Sequence, residues 1–262
     1  MTCIPGLVSI TFRALSPAQV LELAARAGLQ AIEWGGDVHC PHGDVLRATE
    51  VAALTRARGL TVGAYGSYYR LGVSEAQGLA FSAVLASAQA LGAPRIRVWA
   101  GATGSAQTSP EQRAAVIADA RRCAELAAAV GIRVLSEWHG GTLTDTLSSG
   151  RDFLTAVAHQ NFATVWQPSV GLSVDETLVE LAGLLPWVEH LHVFHWAQHK
   201  RLPLVDGVDR WQRYLALAAT AKRPLIAALE FVQRDDPDQL LRDGATLAQL
   251  LAPHASSSVS HP

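Results

Sequence analysis

The stretch Gly131-Ile-Arg-Val-Leu-Ser-Glu137-Trp-His139-Gly-Gly-Thr142 decides how this chain is expected to fold. A glycine closes the helical segment before it, a short apolar run follows, and the run ends in a carboxylate and an imidazole. Parallel barrels present catalytic groups in this way, at the mouth formed by the C-terminal ends of their strands. The stretch therefore predicts one βα unit of a parallel barrel.

The same unit recurs along the chain as an Ala/Leu-rich helical segment, a glycine, two or three residues and a β-prone run. Each of these glycines stands where a helix can end in a left-handed residue, a conformation that costs glycine least. Ser16-Pro17 and Ser109-Pro110 mark helix starts with an N-cap hydroxyl before a proline, and Ser74-Glu-Ala-Gln77 has capping-box spacing. The four clearest glycines are Gly28, Gly59, Gly92 and Gly131.

Counting these units along the chain predicts eight strands and eight helices. Strands are expected near residues 6–10, 30–34, 60–65, 95–99, 132–137, 163–167, 188–194 and 225–231. Helices are expected at about 17–27, 44–58, 75–91, 110–130, 148–159, 175–185, 209–220 and 238–251. This alternation predicts an α/β protein, a single (β/α)8 TIM barrel over residues 1–254, with a mobile tail at 255–262. An open doubly wound sheet is the alternative. It fits less well because no GxGxxG opens the first unit, and no nucleotide cofactor is expected.

The composition limits which binding partners and which cellular compartment are expected for the protein. The chain has 262 residues, is 49% hydrophobic and carries a formal net charge of −2. It can bury a large core, but it has no basic excess for a phosphate backbone, so nucleic acid is not an expected partner. Cysteines without CxxC spacing and the lack of a charged-then-apolar leader predict a reduced, cytoplasmic protein. No apolar run reaches the roughly 20 residues that cross a bilayer. A small polar molecule is therefore the expected partner, and the sequence leaves an oligomer open.

The predicted strand ends carry the residues that point to a chemistry. Glu137 closes the fifth strand, Glu230 closes the eighth, and His192 lies on the seventh. Two glutamates and a histidine on separate strand ends suit a divalent cation and proton transfer next to a carbonyl. The alternative is structural, because Arg97 in the fourth strand could neutralise Glu33 or Glu137 inside the barrel.

In order and spacing, these strand ends resemble the xylose isomerase-like sugar phosphate isomerase/epimerase superfamily. The resemblance runs from Ala31-Ile-Glu-Trp34 to Glu230 and is carried by Glu137, Trp166-Gln167-Pro168, His192 and Glu230. It implies that Glu137, Gln167, His192 and Glu230 bind one divalent metal, Mn²⁺ or Mg²⁺, with Zn²⁺ as an alternative. The family usually has Trp-Asp-Pro followed by a histidine at strand six. Gln167 therefore removes one negative charge from the ligand set, and Val170 removes a contact to the substrate.

The resemblance also implies a reaction. It predicts an isomerase or epimerase that acts on a small ketose, aldose or related polyol ketone through a metal-stabilised enediolate, with Glu137 and Glu230 exchanging the proton. A metal-dependent dehydratase of the inosose or dehydroshikimate type is one alternative, because the same groups can eliminate a β-hydroxyl. A non-catalytic carbohydrate-binding relative is another, favoured by Gln167 and Val170. An endonuclease IV-like DNA-repair role is disfavoured because the further ligands of a three-metal site are not evident.

Several polar and aromatic side chains are expected around the mouth of the barrel. Indoles at strand ends suit the C–H faces of sugar rings, and the segment Tyr65–Arg70 is expected to form a covering loop. His195 stands where the family usually has an aspartate and is expected to support the site from the opposite strand face. His39 and Arg201 fall in loops after the second and seventh strands. The predicted substrate-binding residues are His139, Trp34, Trp99, Tyr65, Arg201, His195 and His39.

Overall fold

Eight parallel strands close into one barrel in this computed structural model, which describes residues 3–197 and 200–252. Around the barrel the strand order is β1-β10-β7-β6-β5-β4-β3-β2, and β8 (His195–Ala197) and β9 (Lys200–Leu202) form a separate two-stranded sheet. The barrel strands are β1 (Cys3–Val8), β2 (Ala31–Gly35), β3 (Thr61–Arg70), β4 (Arg95–Trp99), β5 (Arg133–Glu137), β6 (Phe162–Trp166), β7 (Val188–Val193) and β10 (Leu225–Leu229). The predicted (β/α)8 barrel is confirmed. The tail predicted at 255–262 lies outside the described residues.

A helix follows each barrel strand and covers the outside of the barrel. The helices are α1 (Pro17–Arg26), α2 (Val45–Ala57), α3 (Phe81–Leu91), α4 (Pro110–Ala128), α5 (Leu147–Val157), α6 (Val174–Leu184), α7 (Val208–Ala219) and α8 (Pro237–Leu251). Capping boxes at Ser16 and Ser109 start α1 and α4 as the sequence predicts, because each serine accepts from a backbone N–H one turn on. In the described part of the chain, no helix is long and apolar enough to span a membrane.

The parallel register brings the C-terminal strand ends to one face. Glu137 is the last residue of β5 and pairs with Val165 of β6, while His192 of β7 pairs with Ala228 of β10. Glu230 follows β10 directly, and its backbone N–H donates to the Val193 carbonyl at 3.0 Å. Residues far apart in the sequence therefore share the mouth of the barrel.

The segment after β3 differs from its prediction. Residues 65–70 belong to β3 and do not form a covering loop, and the buried Tyr65 hydroxyl donates to the Cys40 carbonyl at 2.8 Å. Helix α3 begins at Phe81 and not near residue 75. The Ser74 hydroxyl accepts from the Arg70 backbone N–H at 2.7 Å, so it serves the strand end and does not cap a helix.

A short hairpin after β7 was not predicted. Strands β8 (His195–Ala197) and β9 (Lys200–Leu202) pair antiparallel, with Trp196 opposite Arg201. Residues 198 and 199, which join the two strands, lie outside the described residues. The hairpin places Trp196 at the mouth of the barrel, where it lines the central cavity.

Candidate metal centre and active site

Glu137, His192 and Glu230 converge at the C-terminal end of the barrel. One ligand atom from each lies within 4.8 Å of the others, and all three residues are buried. The Nδ1 atom of His192 is 3.6 Å from Oε1 of Glu137 and 3.4 Å from Oε2 of Glu230. Two carboxylates and an imidazole around one point form a donor set that fits a divalent cation.

The imidazole of His192 is oriented for this role by Glu33. Its Nε2 atom lies 3.0 Å from Oε2 of Glu33, and a carboxylate can only accept, so Nε2 carries the hydrogen. The Nδ1 atom is buried and has no hydrogen-bond partner within residues 3–197 and 200–252. A carboxylate behind a histidine, with the other ring nitrogen facing acids, is the usual arrangement of a metal-binding histidine.

Protons and cations compete for the Nδ1 atom of His192. Burial disfavours the charged ring, but Glu230 and Glu33 together raise the pKa of His192 well above its ordinary value. Without a cation the ring would hold a second proton at Nδ1, between the carboxylates of Glu137 and Glu230. A divalent cation would take the place of that proton, because metal binding to histidine requires the neutral ring.

Arg97 forms buried ion pairs with both Glu33 and Glu137 and so links the two carboxylates. Its Nε atom lies 2.7 Å from Oε1 of Glu33 and its Nη1 atom 2.5 Å from Oε2 of Glu137, with all three side chains buried. Burial alone would raise the pKa of Glu137, but the Arg97 guanidinium holds it at about 2. Burial opposes ionisation of Glu33 too, yet His192 and Arg97 hold its pKa well below the ordinary range. Both salt bridges that the sequence offered as alternatives for Arg97 are present.

Glu33 was not among the predicted site residues. The sequence signal was available, since a glutamate in the apolar run Ala31-Ile-Glu-Trp34 must be paired or ligating once the strand is buried. What the sequence did not give was its partner, because His192 lies 159 positions further along the chain.

Gln167 lies beside the cluster, as its place directly after β6 predicts. Its Nε2 atom donates to the Trp138 carbonyl at 2.8 Å and lies 3.4 Å from Oε1 of Glu137. The amide is therefore anchored through its nitrogen. As an amide, Gln167 adds no negative charge to the cluster. The formal charge of Glu137, neutral His192 and Glu230 together is therefore −2.

A cavity of about 500 Å³ lies over the cluster and is walled by aromatic rings. The rings of His139 and Trp99 stack with centroids 4.8 Å apart, and the Trp99 Nε1–H donates to Glu137. The Nδ1 atom of His139 is 2.6 Å from the Gly140 carbonyl, which can only accept, so in the neutral ring Nδ1 carries the hydrogen and Nε2 is the acceptor. Other residues lining the cavity include Ile10, Arg13, Tyr68, Trp138, Phe194, Trp196 and Phe231.

Of the predicted substrate-binding residues, His139 and Trp99 line this cavity and the others do not. Trp34 and Tyr65 are buried in the hydrophobic core, where the Trp34 Nε1–H donates to the Thr55 hydroxyl at 3.1 Å. His39 is also buried, with ring nitrogens 3.0 Å from the Ser9 hydroxyl and 3.0 Å from the Leu15 carbonyl.

His195 and Arg201 lie outside the cavity wall for different reasons. His195 is buried, and its ring lies against the backbone at Gly207. Arg201 stacks on Phe231, with its guanidinium carbon 4.4 Å from the ring centroid, and lines a neighbouring cavity of about 360 Å³.

Comparison with known proteins identifies the family of this chain. A family model described as xylose isomerase-like TIM barrel matches residues 21–250. The chain belongs to the xylose isomerase-like TIM barrel family. It is 34% identical to 3-dehydroshikimate dehydratase of Bacillus anthracis over 166 residues, which are 60% of this chain and 55% of that protein. The chain thus spans about half the length of the curated relative it matches.

Solved structures agree with the fold. The probable 3-DHS dehydratase AsbF of Bacillus anthracis gives a TM-score of 0.80 at 22% identity, covering 95% of this chain and 99% of that chain. D-psicose 3-epimerase of Clostridium cellulolyticum gives 0.73 at 16% identity, covering 94% and 98%. A xylose isomerase-like TIM barrel protein of Mycobacterium smegmatis, solved in complex with magnesium, gives 0.76 at 15% identity, covering 95% and 97%. The chain is thus similar in sequence to a dehydratase and shares its fold with an epimerase.

Proposed function

We propose that this chain is a divalent metal-dependent lyase that removes water from a small, cyclic, polyhydroxylated ketone. The observation that carries the proposal is the convergence of Glu137, His192 and Glu230 at the floor of the aromatic cavity. The 34% identity to a dehydroshikimate dehydratase supports elimination over isomerisation.

The four residues predicted from the sequence would hold the metal, with Gln167 as an uncharged ligand beside the neutral His192. Glu137 suits a ligand better than a base, because Arg97 and Trp99 both donate to its Oε2 atom and its pKa is held at about 2. When bound, the cation supplies a Lewis acid that polarises the ketone of the substrate. Mn²⁺ and Mg²⁺ both suit an oxygen-rich donor set with one imidazole.

We assign the proton transfer to His139, which revises the sequence-based pairing of Glu137 with Glu230. In the neutral ring of His139 the Nε2 atom carries the lone pair, and the ring lines the cavity over the cluster. There it can accept the proton from the carbon next to the ketone. The C–O bond to the β-hydroxyl then breaks, a C=C bond forms, and the proton held at Nε2 leaves with the hydroxyl as water.

The wall of the cavity favours a ring over an open-chain sugar. Trp99, Phe194, Trp196 and Phe231 all line the space. A cyclic substrate presents C–H faces to such rings, and its dehydrated, conjugated product is flatter still. Isomerisation or epimerisation of a ketose is the second candidate, because an epimerase is among the structures of the same fold.

One experiment separates these reactions. The Mn²⁺-loaded protein is incubated in deuterated water with 3-dehydroshikimate, with an inosose and with a panel of ketoses, and products are followed by NMR. We expect a dehydrated product from a cyclic ketone. Deuterium incorporation into ketoses without any dehydration would contradict the lyase and support the isomerase. Neither dehydration nor exchange would favour the binding relative.

The role of His139 is tested by His139→Asn. Turnover should fall by a factor of about 10² or more, the scale of general base catalysis, while Mn²⁺ affinity stays unchanged. His159→Asn is the matched control, since His159 is a partly exposed histidine after α5 that does not line the cavity. Unchanged turnover in His139→Asn would overturn the assignment of the base.

A further inference from the structure

The cations that line the central cavity differ in what they can still bind. Within the described part of the chain they are Arg13 and Arg97. Arg97 is buried and committed to Glu33 and Glu137, at 2.7 and 2.5 Å. Arg13 lies at the rim with 44% of its side chain exposed. Arg13 is therefore the guanidinium that an incoming ligand meets.

Arg13 is held in a fixed orientation by two neighbours. Its Nε atom donates to Oδ2 of Asp37 at 2.7 Å, and its Nη2 atom donates to the Tyr68 hydroxyl at 2.7 Å. The Tyr68 hydroxyl donates to the same Asp37 oxygen at 3.1 Å, which closes a triangle. A guanidinium fixed in this way loses little rotamer entropy when it binds a ligand.

The remaining edge of Arg13 keeps hydrogen-bonding capacity. Its Nη1 atom has one long contact, 3.5 Å to the Ile10 carbonyl. A guanidinium has five N–H groups, and the two short bonds to Asp37 and Tyr68 use two of them. Asp37 therefore orients the group without occupying the edge that could pair with a carboxylate.

Tyr68 connects this rim to the candidate metal centre. Its ring lies 5.9 Å from the Arg97 guanidinium carbon and 6.2 Å from the Trp99 ring centroid. Trp99 in turn contacts Glu137, so a series of neighbouring side chains that line the cavity runs from Glu137 through Trp99 and Tyr68 to Arg13. A ligand ring lying in this cavity has the carboxylate cluster at one end and Arg13 at the other.

We propose that Arg13 binds a carboxylate substituent of the substrate and makes the site select an anionic cyclic hydroxy ketone over a neutral one. This inference rests on the proposed function and adds the charge of the substrate to it. A carboxylate suits Arg13 because it pairs with a guanidinium through planar, charge-assisted hydrogen bonds. A doubly charged phosphate would require more positive charge than this single arginine provides at the rim.

The test is calorimetric binding to the Mn²⁺-loaded protein. The probes are shikimate, a hydroxylated ring with a carboxylate and no ketone to react, and its neutral methyl ester. The unmodified protein should bind the acid at least about tenfold more tightly than the ester. Arg13→Gln should abolish this difference by weakening the acid alone, and Arg13→Lys should retain part of it.

Arg201→Gln is the matched control. Arg201 is also a partly exposed arginine paired with an aspartate, Asp235 at 2.6 Å, but it lines the neighbouring cavity only. It should keep the preference for the acid. A preference retained by Arg13→Gln, or lost equally in Arg201→Gln, would overturn the proposal. Thermal melting of each variant verifies folding.

The two proposals fail in different ways. A preference for the acid that depends on Arg13, without dehydration of any cyclic ketone, would reject the lyase and keep Arg13 as the anion-binding residue. Dehydration by a protein that binds the acid and the ester equally would keep the lyase and reject the role of Arg13.

Discussion

At the scale of single residues, the interior of the barrel contains a line of buried ionisable side chains in which acidic and basic groups alternate. Glu33 accepts from His192 on one side and from Arg97 on the other, and Arg97 in turn bridges to Glu137. Each of these groups is buried, so each depends on its neighbour to offset the loss of water. The same line that holds the structure together also orients the candidate metal-binding imidazole.

Glu33→Gln should therefore destabilise the protein strongly. The substitution leaves Arg97 with one buried partner fewer and removes the carboxylate behind His192, and breaking a buried pair costs about 3–5 kcal/mol. The free energy of unfolding in urea measures this loss. The control is Glu22→Gln, which removes an exposed ion pair with Arg58 and should cost less than about 1 kcal/mol. Equal losses in both variants would contradict the buried network.

Gln167→Asp should increase the affinity for the metal and lower the stability of the metal-free protein. Aspartate adds a charged oxygen ligand beside Glu137 but loses the amide donor to the Trp138 carbonyl. The melting temperature should fall without metal and rise more on adding Mn²⁺ than it does in the unmodified protein, because a ligand that binds only the folded state stabilises it. A smaller Mn²⁺-dependent rise would mean that Gln167 faces no metal. Gln160→Asp, at the opposite end of the barrel, is the control.

At the scale of elements, helices α5 and α6 hold the loop that carries Gln167. The Trp138 Nε1–H donates to the Ser169 hydroxyl at 3.0 Å, which donates to Oε2 of Glu180 on α6 at 2.7 Å. Helix α5 approaches the same indole closely at Gly150, where a Cβ atom would lie 2.3 Å from the Trp138 ring. The position of the cavity wall thus depends on how closely a helix packs outside the barrel.

Gly150→Ala should disturb this wall. The added methyl group overlaps a buried ring that cannot move freely, and overpacking of this kind costs about 1–3 kcal/mol. Urea denaturation measures the loss, and the fluorescence of Trp138 should change because its ring must shift. The control is Gly183→Ala on α6, where the nearest atom is the flexible end of Leu147 at 2.7 Å. It should cost less, and an equal cost in both variants would contradict the close packing of α5 on Trp138.

At the scale of the whole molecule, closing the barrel buries titratable groups that the unfolded chain exposes. His190 is the clearest case, because it points into the barrel and neither ring nitrogen has a hydrogen-bond partner among the described residues. Burial lowers the pKa of His190 from 6.5 to about 3, even though Glu33 lies 3.4 Å away. The fold therefore requires His190 to be neutral.

The protein should lose stability in acid partly through His190. Below pH 6.5 the unfolded chain binds a proton that the folded chain refuses until about pH 3, so this contribution is intact above pH 6.5 and is lost as the pH falls. His190→Leu should flatten the decline between pH 6.5 and 4.5 by about 1–3 kcal/mol in the free energy of unfolding. His159→Leu, at a partly exposed position outside the barrel, is the control. A slope unaffected by His190→Leu would contradict the buried neutral ring.

The sequence by itself determined the fold and the strand-end residues. Helix caps, closing glycines and apolar runs are local signals, so the eight βα units, Glu137, His192 and Glu230 could be read without coordinates. The tertiary structure decided the partners, because pairing across the barrel joins residues such as Glu33 and His192 that no local pattern connects. The tertiary structure also decided which of the predicted side chains are exposed to the cavity. Trp34, Tyr65 and His39 have the chemistry of a binding site but lie in the core, since the direction of a side chain at a strand end depends on barrel register and helix packing.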